Sequence, residues 1–183
     1  MTQRMFLVTF LLTFLGLEFS NAQMAAARKV IWDVETTAVV PVSRDSVWRL
    51  LKDHALVSVL SNGYVVSLKD LDEVMPIDRE AIFKSGIKRK ESLVTLDSQH
   101  RFFGYNYKLE SLPKGVKSVM VAVFTKEVDE SGTEISWKAK IEGGKEEVEA
   151  FKRVLNEEFT HYAAGYKSYL QGKPRVIKAM RMQ

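Results

Sequence analysis

The 183-residue chain contains no cysteine. That excludes a disulfide framework, a thiolate metal site and a cysteine nucleophile. Histidine is scarce. His54, His100 and His161 stand far apart, in no His-Glu-x-x-His or His-x-His arrangement, so zinc would need scattered ligands. A Gly-rich phosphate loop, a Gly-x-Ser-x-Gly elbow and a paired nucleophile and base are missing too. No residue is assigned a catalytic role, and no metal or cofactor is expected. Neither internal repeats nor low-complexity stretches occur. What is present is 46% hydrophobic, 27% charged and 10% aromatic. That suits one domain with a sizeable core, and excludes collagen-like, coiled-coil and broadly disordered chains.

The formal net charge of +4 sits in one place. Arg4 and Glu18 cancel in residues 1–22, and residues 23–170 balance to zero. Lys173, Arg175, Lys178 and Arg181 lie near the C-terminus with no acid among them. A neutral domain with a basic tail is a poor nucleic-acid binder, which needs many clustered phosphate contacts. The tail 173–183 mixes cations with Val176, Ile177 and Met180. It reads either as a weak contact with an anionic membrane, worth roughly 1 kcal/mol per charge, or as a free end.

Residues 1–22 have the three-part pattern of an export leader. Arg4 supplies the positive start, Met5 to Leu17 is a 13-residue apolar run, and Ser20 and Ala22 are small residues before Gln23. Thirteen residues is short for a membrane-spanning helix. No cysteine follows the run, so a lipoprotein anchor is excluded. Cleavage after Ala22 would leave 161 residues in a periplasmic or secreted location. An uncleaved anchor is the alternative.

The rest reads as one α+β domain, residues 23–172. Trp32 to Val40 is rich in β-branched residues and predicts a first strand ending at Pro41. Ser43 then caps a helix carrying Asp45 in its first turn and Val47, Leu50 and Leu51 at helical spacing. A second short helix spans His54 to Leu60 and ends at Asn62-Gly63. Six strands follow, at 64–68, 81–84, 87–96, 102–109, 118–128 and 133–141, separated by short turns that imply an antiparallel meander. Ile135, Trp137, Ala139 and Ile141 share an apolar face; Phe103, Tyr105, Tyr107 and Leu109 share another. Val119, Val121 and Val123 alternate with Met120, Ala122 and Phe124, so both faces of that strand are apolar. Residues 145–170 predict one long helix. Val148, Phe151, Leu155, Phe159, Tyr162, Tyr166 and Leu170 recur at steps of three and four. Gly172 and Pro174 end it.

Four segments carry a resemblance to a known family. VVPVSRDSVWRLLKD at 39–53, ESLVTLDSQHRFFGYNY at 91–107, SGTEISWKAKI at 131–141 and the long terminal helix come in a characteristic order. Together they resemble the START and polyketide-cyclase-like superfamily, called SRPBCC. KDLDEVMPIDRE, residues 69–80, departs from it by lacking a Gly-rich approach to the next strand. The resemblance implies the helix-grip fold, a curved antiparallel sheet of six to seven strands wrapped round the C-terminal helix. It also implies a cavity for apolar ligands such as lipids, sterols or polyketides, in which some members perform cyclisation or dehydration. It carries no universal catalytic motif.

A ligand there would meet Phe103, Tyr105, Tyr107, Val121 and Trp137 from the sheet and Phe151, Leu155, Phe159 and Tyr162 from the helix. Buried phenols need partners, and a few polar groups among apolar walls suit a small-molecule site. The alternatives are that these residues pack a filled core and the domain serves as an interaction module, or that Tyr and His residues make it an enzyme. Glu91 and Arg101 are expected to pair, at the cavity mouth or across exposed strands. His100 is expected in a solvated turn and His161 on the flank of the helix. The acids Asp70, Asp72, Glu73, Asp78 and Glu80 lack calcium-loop spacing and predict a solvated loop.

Overall fold

A computed structural model describes residues 30–128 and 132–171. The expected leader, its cleavage point, most of the turn after Val128 and the basic tail lie outside the described residues. Seven strands form one sheet: β1 Val34–Val40, β2 Val65–Asp70, β3 Ile77–Phe83, β4 Lys88–Asp97, β5 Phe102–Tyr107, β6 Val116–Glu127 and β7 Thr133–Gly143. Their spatial order is β1-β7-β6-β5-β4-β3-β2, and every pairing is antiparallel. β2 to β7 form the meander that the short turns dictate. Bulges at Val65/Ser67, Leu93/Thr95 and Val116/Ser118 bend it.

The chain reaches the far edge of the sheet through two helices. α1 spans Arg44–Leu51, a single 3-10 turn spans His54–Leu56, and α2 spans Val57–Leu60. The Ser43 hydroxyl accepts the Ser46 amide, which caps α1 as its sequence requires. Asn62 and Gly63 both take left-handed backbone angles and turn the chain into β2. α3, Lys145–Gln171, lies on the same face of the sheet. Leu155 and Phe159 are completely buried there. Burial of a side chain of that size contributes about 1.5–3 kcal/mol. Gly165 lets α3 approach α2: a Cβ at that position would run into the Leu60 carbonyl. This is the helix-grip architecture.

The inner face carries Val119, Val121 and Val123 of β6 and Ile135, Trp137, Ala139 and Ile141 of β7, all buried. Met120 lies outside, which decides the orientation of the doubly apolar strand. Three expectations need correction. β3 begins at Ile77 rather than at 81, because residues 77–80 pair with β4, and Arg79 and Glu80 with β2 as well, and so leave the solvated loop. Leu109 leaves the inner face of β5: it opens a 3-10 turn, Leu109–Ser111, and is 73% exposed. Glu91 and Arg101 do not pair. They lie at opposite ends of the β4–β5 hairpin, and Arg101 binds Asp45 instead, at 2.7 and 2.9 Å.

Candidate functional site

Between the sheet and the C-terminal half of α3, roofed by α1 and α2, lies a cavity of about 60 Å³. Leu50, Leu51, Val57 and Leu60 form the roof. Phe103, Tyr105, Val123 and Trp137 form the floor, and Tyr162 and Tyr166 come from α3. Trp137 lies parallel to Tyr162 at 6.2 Å and tilted against Tyr166 at 5.5 Å. Towards β2 the wall turns polar, with Asp53, His54, Arg79 and Glu91.

Of the residues expected to meet a ligand, Phe103, Tyr105, Trp137 and Tyr162 line this cavity. Tyr107, Val121, Phe151, Leu155 and Phe159 belong to the core beside it. There the sheet and the N-terminal half of α3 touch directly; Tyr107 meets Phe151 edge-on at 6.3 Å. The N-terminal half of the helix packs against the sheet, and this cavity lies at the other end, under α1 and α2.

The core of this region holds four charges. Arg79 is 3% exposed, Arg89 8%, Glu91 2% and Glu158 1%. Arg89 grips Glu158 with both terminal nitrogens, at 2.7 and 2.8 Å, and reaches Glu91 at 3.2 Å. The other oxygen of Glu91 accepts from Arg79. Two cations and two anions make the cluster neutral, which burial demands. Aromatic faces cover the guanidinium groups: Tyr107 lies 4.0 Å from Arg89, Phe83 lies 4.7 Å from Arg89, and Tyr105 lies 4.8 Å from Arg79. Burial by itself would lower the pKa of Arg89. Glu158, with Tyr107 and Glu91, outweighs it and holds Arg89 more firmly protonated than usual.

Among the described residues, three buried side-chain polar atoms have no hydrogen-bond partner: Arg79 Nε, Arg89 Nε and the Tyr107 hydroxyl. Arg79 is the one that lines the cavity. The phenols of Tyr105, Tyr107, Tyr162 and Tyr166 are all pushed above the ordinary range, chiefly by burial. They stay neutral and are not available as bases. His54 is the titratable group of the wall with the opposite tendency. Burial, assisted by Arg79, lowers its pKa from 6.5, against the opposing pull of Asp70, Glu91 and Asp53. Its Nδ1 lies 3.3 Å from Asp70. His100 is exposed and bound to Asp97 at 2.8 Å, and His161 is half-buried, stacked on Tyr64 at 4.6 Å.

The sequence pattern of the polyketide cyclase/dehydrase and lipid transport family matches residues 32–171. The chain belongs to that family. Solved structures share its fold. Protein XoxI from Bacillus cereus is 17% identical and superposes with a TM-score of 0.66, over 76% of this chain and 95% of that one. The Zhui aromatase/cyclase from a Streptomyces species is 14% identical with a TM-score of 0.62, over 75% and 92%. Norcoclaurine synthase from Thalictrum flavum is 14% identical with a TM-score of 0.62, over 76% and 86%. At these identities the likeness is one of fold. No curated protein matches the chain in sequence.

In this polyketide-cyclase-family chain sequence reasoning placed Glu91 near the cavity but missed its partners Arg79 and Arg89, and Glu158. Arg79 shares the inner face of β3 with Ala81 and Phe83, and Arg89 and Glu91 share that of β4 with Leu93. The alternation was there, but the outward neighbours Lys88, Lys90 and Glu80 are charged as well, so polarity gave no contrast. Glu158 falls three residues after Leu155 and four before Tyr162, squarely on the apolar stripe. That position was its signal.

Proposed function

We propose that this chain is an exported binding protein for a hydrophobic small molecule, such as a lipid, sterol or polyketide, held between the sheet and α3. The leader pattern of residues 1–22 supports release after Ala22 into the periplasm or the exterior. The basic tail supports a weak contact with an anionic membrane.

The observation that carries the binding reading is the Arg79 Nε–H. Its side chain lines a cavity otherwise walled largely by aromatic and aliphatic groups, and this atom is buried with no hydrogen-bond partner. An unsatisfied buried donor costs about 1–3 kcal/mol, and an apolar ligand bearing one acceptor oxygen would satisfy it. The cavity is far below the roughly 300–1,000 Å³ of ordinary ligand sites, so binding must spread its walls. A test is the titration of the purified chain with N-phenyl-1-naphthylamine, an uncharged fluorophore. Saturable binding at one site, displaced by a fatty acid more strongly than by an alkane of equal length, is expected. Absence of saturable binding would overturn the reading. N-terminal sequencing of the exported chain should begin at Gln23; an intact Met1 would contradict cleavage.

One observation favours a second reading, an enzyme acting on such a molecule. His54, paired with Asp70, shares the cavity wall with Arg79 and Glu91. A neutral imidazole there is placed for general acid–base work. That reading requires turnover which vanishes in His54→Gln while the fold persists.

A further inference from the structure

A cavity of about 60 Å³ cannot take up a lipid-sized molecule until part of its wall moves. The wall segments are not equally fixed. Apart from Leu68 on the edge strand β2, the sheet residues of the wall each pair with strands on both sides. α3 is pinned by its buried stripe and by the two-pronged Arg89–Glu158 bridge. α1 is seated by buried Val47 and Trp48, and α2 by buried Val57 and Leu60. Between them, Lys52 to Leu56 contains no buried residue. It is a single turn, held internally by the Asp53 carboxylate on the Ala55 amide and by the Leu56 amide on the Asp53 carbonyl. Among the described residues, the side-chain polar contact that ties this turn to the sheet is His54 Nδ1 to Asp70 on the edge strand β2, at 3.3 Å. Asp53 and His54 themselves line the cavity.

We infer that the turn His54–Leu56 is the door of the cavity and that the His54–Asp70 contact is its latch. The inference rests on the binding reading above. The occupant enters between the α1–α2 connection and the edge of the sheet, and the door swings on the chain at Lys52 and Val57.

The latch answers to pH, and the sign follows from its surroundings. The groups acting on the His54 ring are Asp53 on its own turn, Asp70 of β2, Arg79 of β3 and Glu91 of β4. The three carboxylates favour the imidazolium, whereas burial and Arg79 oppose it and prevail. Protonation is therefore harder in the closed state than in an opened turn, where the ring meets water. By linkage, acid favours the open state and neutral pH the closed one.

The lack of native cysteine allows a clean test. The double variant His54→Cys/Asp70→Cys is bridged with a short bis-methanethiosulfonate, and uptake of N-phenyl-1-naphthylamine is followed by stopped-flow fluorescence before and after dithiothreitol. A gated site takes up ligand no faster than it opens, so the bridged protein should be slower by about tenfold or more, and reductant should restore the rate. Equal rates with and without the bridge would overturn the latch. If the dye binds no form of the protein, including wild type, the binding reading fails and the latch with it. In wild type, uptake should quicken as pH falls from about 7.5 to about 5, through the range of histidine. In His54→Gln, which keeps a donor for Asp70 and cannot titrate, uptake should stay level over that range, with circular dichroism confirming the fold. An unchanged pH profile in that variant would also overturn the latch.

Discussion

Arg89 of β4 and Glu158 of α3 face each other through two parallel hydrogen bonds, 2.7 and 2.8 Å long, in an almost water-free site. The bond joins the sheet to the helix it grips, at the border between the filled and hollow parts of the interface. A buried pair is expensive to break because the survivor is left charged and unpaired. Glu158→Ala should therefore lower stability by roughly 3–5 kcal/mol in urea unfolding. Adding Arg89→Met should recover much of that loss, since Glu91 keeps Arg79 as its partner. A loss no larger than that of a surface substitution would show that water reaches the bridge.

Gly165→Ala sets two effects against each other. Alanine is the better helix former by about 1 kcal/mol. Against that, its Cβ would meet the backbone of Leu60, which has no flexible end to yield. Overpacking of this kind costs roughly 1–3 kcal/mol, so the clash should win. A lowered thermal midpoint is expected; a raised one would mean that α2 moves aside freely.

Phe103 and Phe159 should separate cavity from core. Phe159 is fully buried and does not line this cavity, so Phe159→Ala should cost about 3–5 kcal/mol of stability and leave dye affinity within error. Phe103 is half-buried and lines the cavity, so Phe103→Ala should alter dye affinity with a smaller loss of stability. The reverse pattern would misplace the binding site.

Asp33 locks the start of β1 to β7. Its carboxylate accepts the Ile141 amide at 2.9 Å and lies 3.0 Å from Lys140. Partial burial opposes its ionisation, but these two partners outweigh it and hold its pKa below 3.8. A depressed carboxylate contributes stability above its unfolded pKa and loses it as pH falls through the folded value. Asp33→Asn should thus be less stable than wild type at neutral pH, and the gap should close below the ordinary carboxylate range. A gap that persists in acid would assign the effect to packing rather than charge.

The fold was legible where polarity alternates with a clear period. Ile135, Trp137, Ala139 and Ile141 announced β7, and the stripe from Val148 to Leu170 announced α3. The Ser43 cap and the Asn62-Gly63 turn marked their elements through local chemistry. Legibility failed where charge faces inward. Arg79 looked like part of a solvated acidic loop because nothing nearby in sequence shows its partner Glu91, twelve residues on and one strand over. Five of the nine residues expected to meet a ligand lie in the core beside the cavity for a different reason. Which part of the trough α3 fills depends on how closely Gly165 and Tyr107 let the layers approach, and that is a property of the assembled layers.

The central claim is that this grip holds a hydrophobic molecule. Its most direct test is a native mass spectrum of the full chain, expressed with its own leader and recovered from the exported fraction, followed by organic extraction. The account predicts a chain of residues 23–183 carrying an extra hydrophobic mass that the solvent releases. An exported chain that is bare, and that binds none of the lipids, sterols or polyketides offered to it, would contradict it.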